Sequence, residues 1–149
     1  MAGEGDLRVI RPSDRTPDAA SGAMIREAAV SRDLVGAERI WLGFVELPAG
    51  SASAAHHHGR AESGIYVISG RAVFFTGERL ERRHDAVACD FVWGPPWVVH
   101  VEANASRGEP VRMAVARSTQ ETLVFNVPLP AGWSVPSPPS APEDGRSRS

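Results

Sequence analysis

In the stretch AHHHGRAESGIYVISG (55–70), three histidines stand in a row and Glu62 follows four residues after the last of them. On an extended strand, alternate side chains share a face. His56 and His58 then lie about 7 Å apart at the backbone, and their rings can lean onto one ion at about 2 Å. His57 points the other way. A helix would need a spacing of four, so the pair makes sense only on a strand. Gly59 lets the chain turn, and a carboxylate at Glu62 can return to the same ion from the neighbouring strand. The competing reading is a solvated polar loop. Three histidines followed by a carboxylate and a tight strand favour a metal site. The stretch CDFVWGPPWVVHVEAN (89–104) offers a further ligand: Asp90 opens a strand, Gly94-Pro95-Pro96 makes a turn, and His100 begins the next strand.

Other candidates follow from strand parity. Glu102 shares a face with His100, where it would act as a general base or hydrogen-bond a ligand's second nitrogen; otherwise it is a rim glutamate. In VRMAVARS (111–118), Val111, Met113, Val115 and Arg117 share the bulkier, interior face. Arg117 at the inner end of that strand wants a partner, a substrate carboxylate or else water at the strand end. Tyr66, the one tyrosine, either orients substrate or packs. Trp97 lies in the loop just before His100 and is a candidate to contact substrate. Cys89 reads as a small buried hydrophobe. His84 sits in a charged, solvated hairpin, and Arg26 and Glu27 read as structural parts of an N-terminal arm.

The elements that must position these groups are short strands. Leu7–Arg11, Glu38–Leu47, Gly64–Ser69, Arg71–Thr76, Ala86–Trp93, Val98–Ala103, Val111–Ser118 and Thr122–Val127 are apolar or β-branched runs separated by Gly/Pro turns. That pattern predicts an all-β sandwich or barrel. The one helical candidate is Gly22–Val35, with polar residues breaking its apolar stripe. The 149 residues suit one domain, and 42% hydrophobic residues supply its core. A net charge of −2 gives no basic field for nucleic acid or anionic lipid. One cysteine excludes an internal disulfide. With no signal-peptide pattern and no apolar run long enough to span a bilayer, the expectation is a cytoplasmic protein. Residues 1–6 and the Pro/Ser-rich tail 131–149 are expected to be disordered, leaving an ordered domain over 7–130.

The order G50-SASAA-H56-H-H58-GRA-E62 … G70, then D90-FVWG-P95-PWVV-H100-VEA-N104, resembles the two motifs of the cupin superfamily. The resemblance covers about 37–127. Its HHHG start and IYVISGRA continuation look like small bacterial single-domain cupins of the RmlC-like kind. It implies an antiparallel β-barrel, or jelly roll, with an N-terminal arm and a metal inside one end. By matching positions, the ligands are His56, His58, Glu62 and His100, with two coordination positions open on an octahedral ion. The implied cofactor is one divalent ion, iron first, then zinc, manganese or nickel. Three departures from the motifs stand out. Seven residues separate Glu62 from Gly70 where six are usual, so the glutamate register counted back from Gly70 falls on Ser63. Either a one-residue bulge returns Glu62 to the interior or the site has three histidines alone; Glu62 is the expected ligand, serine being a poor one. Cys89 and Trp97 stand where glycines are usual, and Val99 where a proline often is. The implied function is a metal-dependent enzyme acting on a small, perhaps carboxylated, organic molecule. Dioxygenase chemistry is the first expectation, with Lewis-acid isomerase, cyclase or decarboxylase chemistry beside it; the alternative is a non-catalytic ligand-binding or sensor protein. The expected partners are a small-molecule substrate and a second copy in a homodimer, with neither nucleic acid nor membrane.

Overall fold

The computed structural model describes residues 5–136. Among them, β1 (Thr16–Pro17), β2 (Ile25–Val30), β3 (Trp41–Leu47), β10 (Val111–Arg117), β5 (Ser63–Ser69) and β8 (Phe91–Gly94) form one sheet, in the order β1-β2-β3-β10-β5-β8. The second sheet runs β11-β4-β9-β6-β7, from β11 (Phe125–Asn126), β4 (His56–His57), β9 (His100–Asn104), β6 (Arg71–Thr76) and β7 (Arg82–Val87). Every pairing is antiparallel. The fold is the expected all-β cupin barrel, two sheets rolled face to face.

Alternation decides which side chains fill it. On β3, Trp41, Val45 and Leu47 are buried, and on β10 the predicted inner face, Val111, Met113, Val115 and Arg117, is buried throughout. The two strands pair directly, Val111 opposite Leu47 and Met113 opposite Val45. Each such aliphatic side chain taken from water contributes roughly 1.5–3 kcal/mol. β6 is buried on both faces. Ala72 and Phe74 look into the barrel, whereas Val73 and Phe75 join a second cluster with Leu80, Val101 and Ala103 on the outside of their sheet. Trp133 closes that cluster, its ring edge-on to Phe75 at 5.4 Å. The ordered chain therefore continues past residue 130. The expected disorder of residues 1–4 and 137–149 concerns positions outside the described residues.

Three local expectations are corrected. Leu7–Arg11 forms no strand, and Leu7 and Val9 lie exposed with nothing to pair against. The helical candidate at 22–35 contains strand β2, followed by a single helical turn, α1 (Arg32–Val35), capped by the Ser31 hydroxyl and ended by Gly36 in the left-handed region. The alternation Met24, Arg26, Ala28 inward satisfies a sheet edge, which the broken apolar stripe could not do for a helix. Ala86–Trp93 is two strands joined by a turn, in which the Asp90 carboxylate accepts the Val87 N–H at 2.8 Å.

Gly70 joins β5 to β6 with φ +89°, and a Cβ there would sit 2.5 Å from the Pro110 carbonyl oxygen. Only glycine satisfies both constraints. Asn104, the last residue of the second motif, is buried and donates through Nδ2 to the Leu47, Pro48 and Glu109 carbonyls, tying β9 to the end of β3.

Candidate metal centre

His56 and His58 flank the β4 strand end, and His56 lies directly opposite His100 on β9. The rings of His56 and His58 are 4.8 Å apart, those of His56 and His100 4.4 Å, and those of His58 and His100 5.2 Å. One ligand nitrogen from each lies within 4.8 Å of the others, close enough to converge on one cation.

The backbone fixes which nitrogen faces the centre. Nδ1 of His56 donates to the Ala54 carbonyl at 2.9 Å, Nδ1 of His58 to the Leu123 carbonyl at 2.8 Å, and Nδ1 of His100 to the Val98 carbonyl at 2.9 Å. A carbonyl oxygen only accepts, so Nδ1 carries a proton in all three, and in the neutral ring it is Nε2 that keeps the lone pair. His56 Nε2 is buried without any partner among the described residues. Burial, then the neighbouring His100 and Arg26 charges, pulls the His56 pKa down to about 3, against the Ala54 hydrogen bond. Burial and the nearby His56, His100 and Arg26 likewise pull His58 down to about 4, opposed by its bond to Leu123. Both rings are neutral in neutral water, the state a metal ligand requires. The donor set therefore fits a divalent ion, and an orphaned, fully buried ring nitrogen has no other evident purpose.

Glu62 does not join the group, and the expectation that it is a ligand is corrected. It is exposed, and its backbone N–H is held by the Ser118 hydroxyl at 3.0 Å. Ser63, Ile65 and Val67 are the buried positions of β5, so the inward register falls on Ser63. A bulge does exist on β5, but it falls at Ile68: Val67 pairs with Met113 and Ser69 with Arg112, one residue earlier. Alternation between residues 62 and 67 is unbroken, and Glu62 stays outside.

Glu102 points inward. It is 4% exposed, its Oε1 lies 3.7 Å from His100 Nε2, and its Oε2 has no partner. Arg117 is also inward, its guanidinium stacked over the Trp41 ring at 4.1 Å. Both line a cavity of about 720 Å³ that also reaches His58, His100 and Ser63. Tyr66 and Trp97 do not line it, which corrects their assignment to substrate binding. Tyr66 falls on the outer face of β5, its ring 4.8 Å from Phe91, and its phenol O–H donating toward the Cys89 sulfur holds its pKa up. Trp97 is 67% exposed and lies against His57, the histidine that faces away. Cys89 is exposed rather than buried, because its turn projects from the sheet. His84 is exposed as expected, bonded through Nε2 to Thr76 Oγ1 at 2.9 Å, at the margin of the cavity.

Two cavity residues escaped the sequence reading. Ser63 was visible only as an alternative register. Arg26 was taken as part of a structural arm; the signal that it faces inward was the alternation Met24, Arg26, Ala28 once the segment is read as a strand.

A rolled pair of antiparallel sheets with three convergent histidines inside one end defines a class of small barrel that can hold an ion where a ligand enters. The chain belongs to the cupin family: the profile described as a cupin domain matches residues 43–117. A search of curated proteins found no match to the sequence. Among solved structures, the chain is similar to the polyketide cyclase RemF from Streptomyces resistomycificus. The TM-score is 0.69 at 18% identity, over 85% of this chain and 89% of that one. It is similar to an uncharacterized conserved protein with a double-stranded β-helix domain from Klebsiella pneumoniae, with TM-score 0.64 at 18% identity over 83% and 99% of the two chains. It also resembles the Bacillus subtilis oxalate decarboxylase with Mn(II) centres, with TM-score 0.64 at 19% identity over 75% of this chain and 30% of that one. At these identities the likeness is one of fold.

Proposed function

We propose that this protein is a metal-dependent cupin enzyme that acts on a small organic molecule by proton transfer beside a three-histidine centre. The observation that carries this reading is the shared tautomer: three imidazoles, each donating Nδ1–H to a backbone carbonyl, turn Nε2 toward one point. His56, His58 and His100 would hold the ion. A divalent ion bound there supplies Lewis-acid polarisation of a carbonyl or carboxylate oxygen. Glu102 is the proton carrier: its unpartnered Oε2 shares the cavity with the histidines and is placed to take a proton from the bound molecule and return it. Ile65, Phe74 and Val115 give that exchange an apolar wall on one side.

This order of chemistry differs from the first expectation of iron and dioxygenation. Oxygen-activating iron typically sits between two histidines and a carboxylate with open positions. With Glu62 outside, the group that converges is three imidazoles, and the Glu102 carboxylate reaches it on the His100 side, 3.7 Å from Nε2. Cyclase, isomerase or decarboxylase chemistry fits better. RemF is a polyketide cyclase and the Bacillus protein an oxalate decarboxylase, which agrees with that range of reactions without choosing a substrate.

A cytoplasmic setting is part of the same proposal, supported by a single cysteine that leaves no internal disulfide to form. A homodimer is supported by edge strand β8, which leaves Phe91 and Trp93 exposed beside unpaired backbone groups.

The test is elemental analysis of tag-free protein, with His58→Ala and Glu102→Gln alongside. About one divalent ion per chain is expected in the wild type and in Glu102→Gln, and far less in His58→Ala. A wild type that binds no ion, even after reconstitution with zinc, manganese or iron, would overturn the reading. So would oxygen consumption by an iron-loaded protein.

A further inference from the structure

Two arginines are buried in the wall of the cavity, and each has a nitrogen with nothing to bond. Arg26 is 5% exposed and Arg117 3% exposed. Arg26 spends Nη1 on the Ala19 carbonyl at 3.3 Å, which leaves its Nε buried and unpartnered. Arg117 donates from Nε to the Thr119 carbonyl at 3.3 Å and from Nη2 to the Gln120 carbonyl at 3.5 Å, and its Nη1 is left over. Among the described residues, the carboxylate nearest either guanidinium is Asp18, at 3.7 Å from Arg117 Nη2. That carboxylate is already shared, accepting the Ala19 N–H at 2.7 Å and the Thr122 hydroxyl at 3.2 Å. Glu102 lies in the same cavity but forms an ion pair with neither arginine.

An arginine buried without a full partner costs stability, so two of them facing one cavity ask for a ligand that repays them. The position is telling. Arg117 stands directly across from Ser63, the inward residue of β5, where no carboxylate is present to supply negative charge. Arg26 and Arg117 also feel each other: burial pulls the Arg117 pKa down to about 10, with Asp18 opposing the shift and Arg26 adding to it. At about 10 that is still well above neutral pH, so Arg117 remains cationic.

We propose that Arg26 and Arg117 form an anion-binding subsite in this cavity, so that the molecule accepted there carries a carboxylate on an apolar body. Both guanidiniums line the cavity and each keeps unused N–H capacity, which a carboxylate drawn between them would take up. The apolar body follows from the rest of the wall, where Trp41, Ile65, Phe74, Val92 and Val115 face the same space. A volume of about 720 Å³ accommodates a molecule of several fused or linked rings. Arg117 was the expected carboxylate partner; Arg26 is the addition that turns one cation into a site. The proposal deepens the enzymatic reading and rests on it for the claim that the acid bound is a substrate.

The experiment is calorimetric titration of zinc-reconstituted and metal-free protein with 2-naphthoate and with its neutral isostere 2-naphthamide. The acid is expected to bind at least tenfold more tightly than the amide. Arg26→Gln and Arg117→Gln are each expected to weaken the acid at least tenfold, with the amide and the metal content unchanged. Arg26→Lys and Arg117→Lys keep the charge and should recover part of the affinity. Absence of any acid preference in the wild type, through equal binding or none at millimolar ligand, overturns the proposal and needs no variant to fold. Glutamine variants that fold and retain full acid affinity overturn it too. Failure of the metal reading has a separate signature: an arginine-dependent preference for the acid in a protein that takes up no ion.

Discussion

At the scale of single residues, His56 and His58 are held neutral by burial, and that has a consequence for the metal-free protein. The unfolded chain binds protons at His56 and His58 below about pH 6.5, while the folded chain resists until about pH 3 and pH 4 respectively. The unfolded state therefore binds more protons in that window, and acidification favours it. Metal-free protein should lose stability as pH falls from about 6.5 toward 4, by an amount on the order of a few kcal/mol. Urea denaturation at a series of pH values measures it; a flat profile would show that the rings are more accessible than their hydrogen bonds imply. The same scale separates Glu62 from Ser63. Glu62→Ala should leave metal affinity unchanged, because the exposed carboxylate faces away. Ser63→Glu places a carboxylate at the inward position and should tighten a divalent ion by about tenfold or more. Competition against a chelating dye reads both.

At the scale of elements, three non-glycine residues lie in the left-handed region: Leu80 with φ +55°, Cys89 with φ +76° and Trp97 with φ +66°. Cys89 and Trp97 stand where the motifs usually have glycine. The fold has kept the glycine-type backbone and accepted a side chain on it, which costs roughly 1–2 kcal/mol at each site. Cys89→Gly should raise stability by about 1 kcal/mol, since the exposed thiol gives up only its contact with Tyr66. Trp97→Gly should gain less, because the ring also packs against His57 at 5.9 Å. Thermal unfolding of the two variants side by side decides this. If neither is stabilised, the turns are not strained in solution. The bulge at Ile68 belongs to this scale as well, since its place along β5 leaves Glu62 outside.

At the scale of the whole molecule, the centre joins segments that are far apart in the chain. His56 and His58 come from one side of the second sheet, His100 from β9, and the carbonyl of Leu123 orients His58 from the segment leading into β11. An ion held at their meeting point ties these segments together, so binding it adds to folding free energy. Saturating zinc should raise the melting temperature of the metal-free protein by several degrees, and EDTA should reverse the gain. His100→Ala should abolish the zinc effect. A metal-independent melting temperature would mean that the three rings do not bind as a unit.

The sequence by itself determined the barrel, the inner face of β10 and the histidine spacing. Those follow from local rules: alternation along a strand, glycine and proline at turns, and a pair of imidazoles two residues apart. It also marked Glu102 and Arg117 as inward, because each sits on a regular strand where parity can be counted. Tertiary structure decided the rest. Parity cannot be counted across a bulge whose place is unknown, so Glu62 and Ser63 exchanged roles only once β5 was paired with β10. Tyr66 and Trp97 are near the histidines in sequence, but a pleat and a left-handed turn send them to the outside. Arg26 was hidden because its segment has polar residues on both faces, which obscures the strand until the sheet edge that it completes is in view. The tautomer of the three histidines is invisible to sequence: the Ala54 and Val98 carbonyls lie only two residues before their histidines but depend on the local backbone angles, and the Leu123 carbonyl reaches His58 only when distant segments meet.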